Sequence, residues 1–592
     1  MQPGTLRCPA DTLRAGPTCD SLRPLPSPAI PLIFSVRTHS LSFLLAALLV
    51  LCVATPATAQ PEIVPAEHPI YDFLHQQRVR GLLPEYRHEV RPLGRGRIGR
   101  LLDSLSVRTD EGTHLAGNTA DWLARYRREL FEPEEAIETV IGPGGRFGIP
   151  TGAETEKFLY YYRDDDWRLA LDAIGSVQVR TSDGAESYGG VSFVPEGILQ
   201  GNYRGIVGFY SGTFNGAQLT GDTRVLQADP VLAPLYYIGR TDTPPGNFDR
   251  ATASVRVASR TFSAEIAHER FIVGASFDDP LILSEGPDYF SFVRLGVDTR
   301  VVQYQFMHGA LGDQSFIVPG DEDSGVLLGP ERYIAFHRLT LNPWRRLGLA
   351  FTEMVVYGQR GPELAYLNPV NPIKPAEHAL WDRDNSLFTL EAVFRPFDGV
   401  ETYATFLADD LDVGELGNNS LNNKWAVQAG LGAALGPALG WVEYTRIEPF
   451  VYTHRFLLDG SFYNAYQHNG FGLGHPLGPN ADQVEIGLRA WGPMRTRGVV
   501  KARYVRQGEN YVDPETGEFV NVGGDVTDGR QPPFSEPVKI FLAGERLSGP
   551  GVTVGLTWEP IRDIALQLFA DYQQWDQTDD RVFVRTQLIV DL

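Results

Sequence analysis

Residues 366 to 385 carry the densest mixture of aromatic and planar polar side chains in the chain, with the sequence YLNPVNPIKPAEHALWDRDN. Such mixtures bind sugars, because the C–H face of a sugar ring rests on an aromatic ring while its hydroxyls pair with carboxylate, amide and guanidinium groups. The residue types therefore predict a carbohydrate-binding loop. The candidate polysaccharide-binding residues are Tyr366, Asn368, Asn371, Trp381, Asp382, Arg383, Asp384 and Asn385.

A purely structural loop could use the same residues. Its aromatic rings would pack against neighbours, and its Asp and Asn side chains would cap turns. Composition alone favours this alternative, so the binding role depends on how the loop folds.

Three other motifs suggest chemistry but lack the context that the chemistry needs. GRGRIG at residues 94–99 matches the dinucleotide-binding expression, yet no βαβ unit surrounds it. The acidic run at 409–412 resembles a calcium loop whose glycine and glutamate are out of register. His454, His468 and His475 lack the i, i+4 spacing of a helical zinc site. We predict neither a metal nor a cofactor.

Hydrolysis receives little support from the sequence. Outer-membrane phospholipases use a His–Ser pair oriented by Asn, whereas His468 and Asn469 have no serine beside them. A glycosidase needs two carboxylates about 5 to 9.5 Å apart, and the abundance of acidic residues does not select a pair. We predict that the chain is not an enzyme and has no catalytic residues.

The N-terminal region has the features of a secretory signal peptide. An apolar run at 41–54 follows Arg37 and precedes the small-x-small signal Ala57-Thr58-Ala59. We expect residues 1–59 to be removed and the true start to lie near residue 36. All three cysteines precede this cleavage point, so the exported chain can form neither a disulfide nor a thiolate metal site.

The charge of the chain excludes one class of partner. Its 52 basic and 73 acidic residues give a net charge of −21. Nucleic-acid binding needs a basic surface, so we expect no nucleic-acid partner.

A predicted helical region and then a predicted strand region follow the signal peptide. Residues 68–83, 96–105 and 118–130 have helical spacing and predict a small, arginine-rich helical domain over residues 60–150, which we expect to remain in the periplasm. Its arginines could meet lipid headgroups or a partner, although a solvated face is the simpler interpretation. From about residue 157 onwards, short alternating segments separated by Gly, Pro, Asp and Asn predict strands.

The stretch at 551–592 shows the strand pattern most clearly. Val552, Val554, Leu556 and Trp558 alternate with polar or small residues, and two further segments repeat this alternation. Short turns alternate with long polar segments along the chain, which is the asymmetry of an outer-membrane barrel. The fold class is therefore mainly β: residues 151–592 are predicted to form a large transmembrane antiparallel β-barrel of about 16 to 18 strands.

Several segments, taken in order, resemble the capsule assembly Wzi family of outer-membrane proteins. No single motif decides the resemblance; the shared order over nearly the whole mature chain does. The matching segments are HPIYDFLHQQRVRGLLP, RPLGRGRI, Leu281-Ile282-Leu283-Ser284, Tyr366-Leu367-Asn368-Pro369, Asp384-Asn385, Asp409-Asp410-Leu411, Tyr452-Thr453-His454 and Leu473-Gly474-His475-Pro476-Leu477-Gly478-Pro479. One departure is Gly94, where the family has serine.

The resemblance implies an eighteen-stranded barrel with a periplasmic helical bundle, and a non-catalytic, lectin-like role in holding capsular or surface polysaccharide at the cell surface. Expected partners are this polysaccharide and outer-membrane lipid, with a monomer favoured and the cell outer membrane as location. An acidic mouth would repel an acidic capsule, so the ligand is expected to be neutral, or held through Arg383 or a bridging cation. The alternatives are a porin or sugar channel and, second, an outer-membrane lipid or glycan hydrolase.

Overall fold

The structure is a computed structural model. It describes residues 60–110, 117–131, 137–142, 156–235, 246–312, 331–415, 419–455, 462–531 and 538–592. The predicted signal peptide at 1–59 and the predicted boundary between residues 150 and 151 lie outside the described residues.

Antiparallel strands dominate the described ranges, and 18 of them close into a barrel. In chain order these are β1 Trp167–Asp183, β2 Tyr188–Tyr203, β3 Val207–Gly221, β4 Gly246–Ala258, β5 Phe262–Glu269, β6 Phe290–Asp298, β7 Val302–Leu311, β8 Arg332–Trp344, β9 Leu347–Gly358, β10 Asn385–Phe394, β11 Val400–Asp410, β12 Lys424–Leu435, β13 Ala438–Ile447, β14 Ala481–Trp491, β15 Thr496–Glu509, β16 Glu545–Ile561, β17 Ile564–Gln573 and β18 Arg581–Asp591. Each strand pairs with its sequence neighbours, and β18 pairs with β1 to close the ring. The predicted fold class is confirmed, at the upper end of the expected strand number.

Alternation along the strands separates a lipid-facing surface from the lumen. On the closing strands Val552, Leu556, Leu566 and Leu588 are exposed on the outer wall. Arg585, on the opposite face of β18, bonds inside the barrel to Asp229 at 2.7 Å. A closed ring leaves no unpaired strand edge, as a barrel whose outer wall faces lipid requires.

The two ends of the barrel differ in the length of their connections. Short turns at 204–206, 259–261, 299–301, 345–346 and 492–495 identify the periplasmic end, and segments such as 359–384, 448–480 and 510–544 identify the extracellular end. Strand β8 runs as far as Trp344, because a register shift between Leu341 and Trp344 accommodates the proline there.

The predicted N-terminal helices are present as α1 Ile70–Val79, α2 Arg95–Asp110 and α3 Thr119–Phe131. Helix α1 ends before Gly81, whose φ of 82° is readily adopted only by glycine. The three helices share an apolar core that includes Leu74, Leu102 and Trp122. Of the helices described, none is long and apolar enough to cross a membrane.

The barrel wall encloses helix α1, and all of its residues except Asp72 are buried. Arg78 pairs with Glu401 of β11 at 2.6 Å, and His75 contacts the same carboxylate at 2.8 Å. A buried charge needs such a partner, because an uncompensated one would cost several kcal/mol, about 3–5. Helix α1 is therefore held against the lumen at the end of the barrel that carries the short turns.

Residues 270–289, here called the plug segment, enter the lumen from the other side. The N–H of Ala275 donates to Glu391 of β10 at 2.6 Å, and the N–H of Phe277 donates to Glu443 of β13 at 3.0 Å. Within the plug segment, Ile272–Val273 pairs with Val90–Arg91 of the helical domain. The two insertions therefore meet inside the barrel.

Candidate functional site

The loop that contains the predicted site joins β9 to β10 at the extracellular end. It forms two short helices, α4 Leu364–Leu367 and α5 Ile373–Ala379. Helix α5 starts after Pro372, which has no backbone N–H and so leaves no donor unsatisfied at the start of the helix. Just beyond the end of the helix, Trp381 and Asp382 adopt φ values of 76° and 52°. Positive φ is unfavourable for a bulky residue and persists only where the surrounding structure imposes it.

The base of this loop is a buried hydrogen-bonded network. The hydroxyl of Tyr366 donates to Asp384 at 2.8 Å, and the guanidinium of Arg360 donates to both oxygens of the same carboxylate, at 3.0 and 2.6 Å. Burial and the neighbouring Asp384 charge both raise the pKa of Tyr366, so its hydroxyl remains a donor. These groups hold the loop against the rim of the barrel.

A second loop, spanning 448–480, supports the first. Asn385 donates to the carbonyl of Asn464 at 3.0 Å, and the side chain of Asn464 donates back to the carbonyl of Arg383 at 2.7 Å. Arg332, at the start of β8, donates to the carbonyls of Tyr463 and Ala465, both at 2.6 Å. The backbone on both sides of the predicted site is thereby fixed.

A polar cleft of about 430 Å³ opens between these loops. On one wall, Glu377 accepts hydrogen bonds from Lys374 and from Ser386, both at 2.7 Å. Burial raises the pKa of Glu377, and the two donors oppose that shift. Lys374 also lies 3.4 Å from Asp382, so its ammonium joins two carboxylates at the cleft edge.

The opposite wall comes from the ends of β11 and β12 and from the 448–480 loop. Asp410 pairs with Lys424 at 2.6 Å, across adjacent strand ends. His454 lies nearby, and burial together with the Lys424 charge lowers the pKa of His454 to about 3. At neutral pH this imidazole is uncharged, and the cleft offers a mixture of paired charges and neutral donors and acceptors.

The structure divides the predicted site residues into two groups. Tyr366, Asp384 and Asn385 are buried and hold the loop in place, whereas Trp381 is 89% exposed. Asn368, Asp382 and Arg383 are also exposed, and Asn371 is half-buried and donates to the carbonyl of Ala365 at 3.0 Å. Three of the eight predicted residues line the cleft together, namely Asp382, Asp384 and Asn385. The binding role of all eight remains a prediction.

Sequence reasoning did not assign the other walls of the cleft to a site. These are chiefly Lys374, Glu377, Asn422, Lys424 and His454. A signal was available, because antiparallel strands alternate in direction and place the end of β11 and the start of β12 at the same rim as the start of β10. The polar residues at those three strand ends could therefore have been predicted to form one site.

One trio in the described ranges has the geometry of metal ligands. Glu377, His378 and Asp382 offer ligand atoms within 4.8 Å of one another. Lys374 already lies against the two carboxylates, and an ammonium in that position competes with a metal ion. We assign the trio to the hydrogen-bonded edge of the cleft.

No protein-family model and no curated protein sequence matches the chain. Among solved structures, the fold matches Wzi of Escherichia coli with a TM-score of 0.55 and 13% identity, over 89% of this chain and 99% of the other. The fold resembles that of Wzi.

Wzi is described as an outer-membrane protein involved in group 1 capsule assembly and as a carbohydrate-binding β-barrel. At 13% identity the likeness to Wzi is one of fold, and it confirms at that level the resemblance expected from the sequence. Acinetobacter baumannii OccAB4 and Pseudomonas aeruginosa OpdK match with TM-scores of 0.41, identities of 11% and 10%, and coverage of 72% of this chain.

Proposed function

We propose that this protein binds a surface polysaccharide at its extracellular end and attaches it to the cell, without catalysing a reaction. The observation that carries the proposal is the polar cleft with Trp381 exposed beside it, above a lumen that the plug segment enters. Trp381 is 89% exposed and directly precedes Asp382 at the cleft edge. An exposed indole held in an unfavourable backbone conformation supports a role outside folding.

The chemistry of the cleft suits hydroxyl-rich, neutral sugars. Its carboxylates accept hydrogen bonds, and Lys374 and Lys424 donate them. The lining has five carboxylates and three basic side chains, so it repels a polyanion. The indole of Trp381 supplies the apolar surface on which a sugar ring can rest. A capsular polysaccharide of neutral repeats fits this arrangement better than a polyanion does.

A channel is the competing function, and the two insertions in the lumen argue against it. Helix α1 enters from one end and the plug segment from the other, and both bond to inward-facing carboxylates of the barrel wall. A porin of this type would need a continuous water-filled path past both insertions.

The direct test is retention of polysaccharide. Deleting the protein should release polysaccharide from the cells into the medium, and restoring the wild-type chain should return it. A complemented strain that carries Trp381→Ala should retain less polysaccharide at an equal level of folded protein. If the deletion strain keeps its polysaccharide, the proposal is wrong, and steady conductance of the purified protein in planar bilayers would favour the channel.

A further inference from the structure

The periplasmic end of the barrel carries a concentrated basic surface that the polysaccharide role does not use. A groove of about 730 Å³ lies between helix α2 and the turns after β4, β6 and β8, and we call it the basic groove. Helix α2 and these turns contribute six arginines, namely Arg97, Arg100, Arg108, Arg260, Arg300 and Arg345. In a chain whose net charge is −21, such a cluster is a strong local departure.

Few acidic groups balance these arginines. The carboxylates that line the groove are Glu85 and Asp298. Asp298 pairs with Arg97, and Glu85 lies 3.9 Å from Arg108. In the described ranges the remaining four guanidinium groups form no ion pair.

The arginines also act on one another. Burial lowers the pKa of Arg97 to about 10, with the neighbouring charges of Arg87, Arg256 and Arg100 adding to the effect. Burial and the charge of Arg260 lower the pKa of Arg100. The positive charges of these arginines repel one another because they lie close together. An anion placed among them reduces that repulsion.

The groove borders the membrane surface. Trp344 and Val301 line it and are 59% and 50% exposed, and exposed Leu341 and Leu339 continue up the same side of β8. Tryptophan concentrates at the level of lipid headgroups, and basic residues there bind anionic lipid. An occupant with a phosphate in the groove can therefore place its acyl chains along this apolar strand.

We propose that the basic groove binds the phosphate of an anionic phospholipid from the periplasmic leaflet. The lipid bridges α2 and three consecutive turns, so it joins the helical domain to the barrel rim independently of any polysaccharide bound at the other end. Arginine suits this task, because its planar fork donates two parallel hydrogen bonds to phosphate oxygens.

Native mass spectrometry of the full mature chain in zwitterionic micelles, titrated with phosphatidylglycerol, tests the proposal. Each basic residue near an anionic lipid surface contributes about 1 kcal/mol, or roughly fivefold in affinity. The triple variant Arg100→Gln/Arg260→Gln/Arg300→Gln should bind phosphatidylglycerol more than about fiftyfold less tightly, since these three side chains form no ion pair with any described residue. Equal affinity of the triple variant and the wild type would overturn the proposal.

Two neighbouring arginines in one turn, Arg345 and Arg346, provide a control for misfolding of the variants. Arg345 lines the groove, whereas its neighbour Arg346 donates to the carbonyl of Pro396 at 2.7 Å and to Asp398 at 3.2 Å. Arg345→Gln should weaken phosphatidylglycerol binding about fivefold while Arg346→Gln leaves it unchanged, and equal effects would overturn the assignment.

Two further arms identify the source of the phosphate. Phosphatidylcholine should bind more weakly than phosphatidylglycerol, because its choline group opposes the arginines. Soluble glycerol phosphate should not displace the lipid at equal concentration, because it lacks the acyl chains. Displacement by glycerol phosphate, or by a soluble acidic polysaccharide, would show that the groove takes a soluble anion instead and would overturn the lipid assignment.

Discussion

The hydroxyl of Tyr366 donates a 2.8 Å hydrogen bond to Asp384, and both side chains are buried at the base of the extracellular loop. Arg360 completes the network by pairing with the same carboxylate. This relationship separates the predicted site into residues that hold the loop and residues that the loop presents to solvent.

Breaking that network should loosen the loop. Tyr366→Phe removes the hydrogen bond that the hydroxyl donates to the Asp384 carboxylate. A buried polar group left without its partner lowers the stability of the folded loop by about 1–3 kcal/mol. We expect hydrogen exchange in residues 359–384 to accelerate between about fivefold and a hundredfold, while the barrel strands keep their protection. Val370→Ala, at a position 81% exposed in the same loop, is the control and should leave exchange unchanged. Unaltered protection in Tyr366→Phe would mean that the loop does not depend on this network.

Trp381 should contribute directly to binding. Aromatic contacts contribute about 0.5–1.5 kcal/mol beyond the area they bury, so Trp381→Ala should weaken affinity for the surface polysaccharide by about two- to tenfold. Exchange within the loop should stay as in the wild type. Val370→Ala, at a position 81% exposed in the same loop, is the control. Undiminished affinity of Trp381→Ala in a glycan-binding assay would move the site elsewhere.

The packing of the extracellular loops should weaken in acid. Nδ1 of His468 accepts a hydrogen bond from the N–H of Gly312 at 2.8 Å, which requires a neutral ring. Burial, with the charge of Arg332 adding to it, lowers the pKa of His468 to about 4. An exposed histidine titrates near about 6.5, so the open loop binds the proton first.

Because the folded pKa is lowered, this contribution to stability is complete above about pH 6.5 and declines as the pH falls towards about 4. Each unit of the shift corresponds to about 1.4 kcal/mol. The protection factors of residues 462–480, which correct for the intrinsic effect of pH on amide exchange, should therefore fall steadily over that interval. His468→Gln should flatten the profile, whereas His378→Gln, at an exposed position, should not. A wild-type profile that stays level from pH 7 to pH 4 would contradict the prediction.

The plug segment should keep the barrel from conducting. Replacing residues 275–279 with a Gly–Ser linker of equal length removes the bonds to Glu391 and Glu443 together with the ring of Phe277. We expect discrete conductance steps in planar bilayers for this variant and none for the wild type. A Gly–Ser replacement of the exposed turn at 513–517 is the control for loop engineering. Large steady conductance of the wild type would contradict the role of the plug segment.

The sequence by itself determined the barrel and its lipid-facing surface. Strand alternation is local, because successive side chains point to opposite faces, so Val552, Leu556 and Leu588 could be assigned to the outer wall without knowledge of any partner strand. Helical spacing likewise predicted α1 to α3. The separation of short turns from long segments identified the two ends of the barrel.

Only the tertiary structure decided which residues of the loops and of the N-terminal helices are buried and which ones they contact. Whether Asp384 is buried against Arg360 or free to meet a ligand depends on contacts between residues distant in sequence, and residue type does not specify them. The cleft likewise joins Glu377, Lys424 and His454 from separate segments. The two insertions are held in the lumen because Glu401 and Glu391 meet groups more than a hundred residues earlier in the chain. Such pairings depend on the closure of the barrel, which local pattern does not reveal.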